Sequence, residues 1–202
     1  MDVAGAALTL GAVLFLAGAA NPRLFAVWTA GEEVQLRLID AHRRSWEVTN
    51  LLFAIATVLT VAGLSVTPDI IGPGGAALAR IAVAAYGMGA VLWLAAIVFR
   101  LAVTPAAASA FARSGTSEAG YAAASRWSGG LFASFTVTAG SSLVGLGMAV
   151  LAGGALPALV GWFTIVIGVV IVGGYLIARD MPPFVVYLPT GALGIAILLA
   201  AT

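Results

Sequence analysis

The chain has no cysteine, one histidine and no lysine, since all nine of its basic residues are arginine, and only 8% of its 202 residues are charged. Without cysteine there are no disulfides, thiolate metal sites or thiol nucleophiles, and the redox compartment is left open. Without lysine, neither Thr104-Pro105 nor the glycine pairs can form a nucleotide phosphate loop. His42, followed by Arg43 and Arg44, cannot supply the several convergent ligands of a metal centre, nor two axial ligands to a haem. It reads as a solvated loop residue. Nucleic-acid binding is not expected, because no dense basic stripe carries aromatics or a recognition helix.

A soluble surface needs about 25% charged residues to be solvated, so this composition does not suit water. What fills the chain is hydrophobic, 62% by count. It falls into six apolar stretches, residues 3–20, 48–67, 76–102, 128–152, 157–178 and 184–201, here spans 1 to 6. Each is close to the roughly 20 residues that cross a bilayer as a helix. Punctuation falls between them: Asn21-Pro22, Pro68-Asp69, Gly72-Pro73-Gly74-Gly75, Gly153-Gly154 and Pro182-Pro183. Leu8 to Leu16, followed by Ala17-Gly18-Ala19, has the look of a signal peptide, but Asp2 and the lack of a basic residue before it argue for a retained helix.

The arginines test this count. Arg23, Arg37, Arg43, Arg44, Arg100, Arg113, Arg126 and Arg179 all fall in or beside alternate connections, and only Arg80 falls toward the other face. Basic loops are retained in the cytoplasm. Residues 21–47, 103–127 and 179–183 are therefore expected to be cytoplasmic, with both termini extracytoplasmic. One span more or fewer would scramble the segregation. The expected fold is all-α: one polytopic integral-membrane domain over residues 1–202, a bundle of six transmembrane helices with a cytoplasmic amphipathic helix between spans 1 and 2. Its expected place is the plasma (inner) membrane of a prokaryote.

Within residues 28–46, Thr29 to Glu32 has the spacing of a capping box. Glu33 with Arg37, and Asp40 with Arg44, stand at the favourable i,i+4 order, and Val34, Leu38 and Ala41 share a face. Trp28 and Trp46 suit the interfacial belt, and the stems of Arg80 and Arg100 can reach opposite headgroup layers. Pro105 to Trp127 reads as two short helical pieces.

The most ordered pattern is a small-residue stripe in span 4: Gly130, Ser134, Thr138, Ser141, Gly145 and Ala149. Such a stripe lets helices approach closely, or lines a ligand path with Ser134, Thr138 and Ser141 as its polar contacts. Gly161 and Gly168 offer a facing groove in span 5, and Pro189 interrupts or kinks span 6. Arg43, Arg44, Trp46 and Arg126 are the candidates for contact with lipid headgroups. The predicted core of every span lacks Asp, Glu, Lys and His, the groups that proton relays and ion-coupled carriers place there.

The opening Leu10 to Gly18 followed by Asn21-Pro22 resembles the start of uncharacterised six-helix bacterial membrane families. It covers a small part of the chain and implies no activity.

The expectation is a non-catalytic integral membrane protein, an accessory or scaffold subunit that meets membrane lipid and other membrane protein chains. The first alternative is a binder or carrier of an apolar small molecule (a lipid, quinone or pigment) between spans 4, 5 and 6. The second is a lipid-modifying enzyme at the cytoplasmic rim, using His42, Glu47 and Arg126. No cofactor is expected beyond a bound lipid, quinone or pigment.

Overall fold

Away from water, a backbone must satisfy its own N–H and C=O groups, and a helix does so within one segment. The computed structural model describes residues 2–117 and 120–201, and among them there are helices and no strand. Helix α1 covers Asp2–Ala19, α2 Glu32–Ala41, α3 Arg43–Ile71, α4 Pro73–Ser114, α5 Tyr121–Gly153, α6 Ala158–Ala178 and α7 Phe184–Ala200. A 3-10 segment, Pro22–Trp28, links α1 toward α2. Helices α1, α3, α4, α5 and α6 are long and apolar enough to cross a membrane, and α7 is apolar but shorter at 17 residues.

Prolines did not stop helices where the sequence suggested. Helix α3 runs through Pro68 to Ile71, and α4 runs through Pro105 to Ser114; the two pieces expected over Pro105 to Trp127 are separated after Ser114, but they are the end of α4 and the start of α5 rather than separate short helices. Helix α7 likewise passes unbroken through Pro189. Long packed helices hold their course because the neighbours on either side of the lost hydrogen bond keep the backbone in place.

The apolar helices alternate in direction; α3 packs on α4, α4 on α5 and α5 on α6, while α1 sits between α3 and α7 and α2 lies mainly against α4. Glycines set these approaches. A Cβ on Gly147 would lie 2.5 Å from the Gly161 carbonyl oxygen, and one on Gly168 would lie 2.7 Å from that of Gly140. The α5–α6 seam is therefore Gly140 and Gly147 against Gly168 and Gly161, a contact that no larger residue permits. Gly154 ends α5 in the left-handed conformation (φ 69°) that the tight turn to α6 requires, and its N–H is donated to Val150 O.

The core is an aromatic column. Phe15 stacks on Phe53 and on Tyr187, and Trp93 stacks on Phe135, with centroids 4.2, 3.9 and 5.6 Å apart. Thr57 and Tyr187 share a buried 2.8 Å hydrogen bond across it. Several other buried hydroxyls are donated to their own turn, as from Thr67 to Gly63, Thr136 to Phe132 and Thr164 to Val160.

Helix α2 is the amphipathic helix expected between the first two apolar helices, but it is seated differently. Its buried residues are Leu36 and Ile39, which join a second apolar cluster with Phe99, Ala108 and Phe111 of α4. Val34 and Ala41 face outward. The longer α4 offers the protein surface on which α2 sits. The capping box does not form, because Gly31 is the N-cap and no side chain caps the helix. Nor do the two i,i+4 ion pairs: Arg37 lies over the Phe111 ring and Asp40 accepts from Ser109. The helix breaks at His42, which separates Asp40 from Arg44.

Candidate functional site

One end of the bundle gathers the C-termini of α1, α4 and α6 with the N-termini of α3, α5 and α7, and so every arginine but Arg80. At the other end Arg80 pairs with Asp69 at 3.3 Å, both well exposed.

On α4, Trp93, Arg100 and Thr104 follow one another at steps of seven and four, which places them on one face. Arg100 was expected to extend toward the headgroups. Instead it turns inward among three tryptophans. Its guanidinium carbon lies 4.9 Å from the ring centroid of Trp28, 5.1 Å from that of Trp46 and 5.6 Å from that of Trp93. Each such contact is worth about 0.5–2 kcal/mol, more where water is excluded. The 3-10 segment supplies Trp28, α3 supplies Trp46 and α4 supplies Trp93. Among the described residues, the ion pairs are Arg43–Glu47 and Arg80–Asp69, and Arg100 has no carboxylate partner.

Trp28, Trp93 and Arg100 border a cavity of about 560 Å³. Phe25, Phe53, Phe99, Phe132 and Phe184 give it an apolar wall. Thr104, Tyr121, Ser125 and Ser128 line it with hydroxyls, and Thr104 and Ser125 lie beside the Tyr121 hydroxyl. Tyr121, Ser125 and Ser128 recur at four- and three-residue steps, one face of the first turns of α5. Residues 180–184, between α6 and α7, close one side. Asp180 in this stretch is exposed and accepts the Met181 N–H at 2.8 Å. Gln35 of α2 also lines the cavity and donates to Val27 O at 3.2 Å, which ties α2 to the 3-10 segment.

The sequence-derived candidates lie elsewhere. None of Gly130, Ser134, Thr138, Ser141, Gly145 and Ala149 lines this cavity. Gly130, Ser134 and Ser141 are exposed, and the Ser134 and Thr138 hydroxyls are donated to the carbonyls of Gly130 and Ser134. Ala149 is buried where α4 begins, against Gly75. Arg43, Arg44 and Arg126 are exposed, with Arg43 bound to Glu47 at 2.8 Å. Trp46 is only 2% exposed, and its indole N–H is donated inward to Arg100 O at 2.7 Å. His42, Glu47 and Arg126 are not cavity residues. Among the described residues no group of three His, Cys, Asp or Glu stands together as metal ligands.

Arg100, Trp28, Trp93, Tyr121 and Ser128 were missed by sequence reasoning. One signal was available: Arg100 directly ends an uncharged run, with Trp93 two turns earlier on its own face. No family model, curated protein or solved structure matches the chain, so its own residues carry the functional argument.

Proposed function

We propose that this chain is a six-span integral membrane protein, both termini extracytoplasmic, that binds an amphiphilic small molecule without transforming it. The arginine-rich end is then its cytoplasmic rim. The observation that carries this is the cavity itself: aromatic walls around one caged cation and a row of hydroxyls. Ligand sites are commonly apolar clefts of about 300–1,000 Å³ with a few placed polar groups, and this one falls within that range. Binding without catalysis is supported by the lining, which among the described residues has no histidine and no nucleophile paired with a base. The expected ligand class of lipid, quinone or pigment is retained, while the site moves from spans 4–6 to the rim of spans 3 and 4. Organic extraction of protein purified in mild detergent, followed by mass spectrometry, tests the reading. A lipid-like species should be recovered in fixed proportion; empty protein with no amphiphile-induced thermal shift sinks it.

A second reading, the accessory or scaffold subunit, rests on α6. Leu159, Trp162, Phe163, Val166 and Val170 lie exposed along that helix, which packs extensively only on α5. Another membrane protein chain could cover the face that lipid would otherwise cover. Mass determination of the detergent-purified protein separates the two, since a lone monomer without a co-purifying chain contradicts a scaffold.

A further inference from the structure

We propose that the amphiphile in this cavity is anionic, and that its oxyanion head, a phosphate or a carboxylate, is held by the caged guanidinium of Arg100. This rests on the reading of the cavity as an amphiphile site and adds the charge of the head.

A guanidinium presents five N–H donors in a planar fork that matches a carboxylate or phosphate. Around Arg100, three indole faces answer the charge, yet an aromatic face is no substitute for an oxygen acceptor. No hydrogen bond from this guanidinium to the described chain is made, and no carboxylate pairs with it. A partly buried cation held away from every protein acceptor is costly unless something else supplies the oxygen. The cavity that Arg100 borders is where that oxygen fits.

The rest of the lining agrees. Thr104, Tyr121 and Ser125 place further hydroxyl donors on the same side, whereas Asp180, the one carboxylate among the described lining residues, stands at the exposed edge and is engaged with a backbone N–H. The polar part of the lining is therefore positive and rich in donors. Phe25, Phe132 and Phe184 supply apolar lining, which suits a hydrocarbon tail and offers a free inorganic ion no contact.

The test measures the thermal shift of the intact protein in a neutral detergent with four probes: dioleoyl phosphatidylglycerol, oleate, dioleoyl phosphatidylcholine and inorganic phosphate. The first two should raise the Tm, the zwitterionic lipid much less, and inorganic phosphate not at all. Arg100→Gln should weaken binding of the anionic probes by about tenfold or more, the scale of a lost charge-assisted hydrogen bond. Arg126→Gln removes the same charge from an exposed position outside the cavity and should leave binding unchanged. Gly129 lines the cavity and a Cβ there meets nothing within 4 Å, so Gly129→Phe should fold and block every amphiphile. Should Arg100→Gln not fold, Arg100→Lys decides: it keeps the charge but loses the fork, and should retain only part of the preference for anionic probes.

Equal shifts with phosphatidylcholine and phosphatidylglycerol overturn the anionic head while leaving the amphiphile site intact. So does undiminished anionic binding by folded Arg100→Gln, or by Arg100→Lys with its preference unaltered. An equal shift with inorganic phosphate alone overturns the tail. No shift with any amphiphile defeats the underlying reading of the cavity instead.

Discussion

Trp46 holds Arg100 twice: its indole N–H is donated to the Arg100 carbonyl at 2.7 Å, and its ring lies 5.1 Å beneath the guanidinium of the same residue. The two residues are 54 positions apart in the chain, on α3 and α4. One side chain thus fixes both the backbone and the head of the one cation that borders the cavity among the described residues.

The two functions of Trp46 can be separated. Trp46→Phe keeps a ring and removes the donor, and should cost about 1 kcal/mol, the net worth of one hydrogen bond. Trp46→Ala also leaves a void and should cost about 3–5 kcal/mol. Apparent melting temperatures in detergent should therefore fall in the order wild type, Trp46→Phe, Trp46→Ala.

The glycines of α5 should divide by what they face. A Cβ on Gly147 would strike the Gly161 carbonyl, whereas one on Gly130 meets nothing within 4 Å. Gly147→Val should destabilise by about 1–3 kcal/mol, as overpacking does, and Gly130→Ala should be neutral or slightly stabilising. A thermal melt of each variant checks this, and equal losses would contradict the assignment of the packing face.

This division marks what the sequence made legible. The apolar helices, their alternation and the breaks between them followed from composition, turn residues and arginine placement, because the length of an apolar run and the sign of its flanks are local properties. The packing face of α5 did not follow. Two small-residue stripes share that helix, one with Gly130, Ser134 and Ser141 and the other with Gly140 and Gly147, and periodicity alone does not say which meets a neighbour. The cavity was harder still. Trp28 and Trp46 meet Arg100 from the 3-10 segment and from α3, and a tryptophan near a helix end reads as an interfacial anchor until its neighbour is known. The same ambiguity hid the seat of α2, whose buried Leu36 and Ile39 depend on the length of α4 beyond Pro105.

Thr57 and Tyr187 offer a paired test in the core. Their 2.8 Å hydrogen bond is buried; the Thr57 hydroxyl is donated to Phe53 O at 2.7 Å, so it accepts from the Tyr187 hydroxyl, and either substitution removes that bond. Thr57→Val and Tyr187→Phe should each destabilise by about 1–2 kcal/mol, and the double variant should cost clearly less than the sum. Additive losses in the double-mutant cycle would mean that the pair does not interact.

The chain has no cysteine, so single introduced cysteines report topology without background. Ser114→Cys, at the end of α4, should resist a membrane-impermeant maleimide in intact cells and react after lysis. Ala155→Cys, in the turn between α5 and α6, should react in both. The reverse pattern contradicts the orientation inferred from the arginines, and equal labelling of both contradicts a spanning bundle.

The binding claim itself is met most directly by native mass spectrometry of the wild type beside Gly129→Phe, the variant that fills the cavity without touching Arg100. The wild type should carry one adduct of lipid-like mass per chain, and Gly129→Phe should lose it while keeping its fold. An adduct of the same mass and occupancy on both proteins, or none on either, contradicts the account.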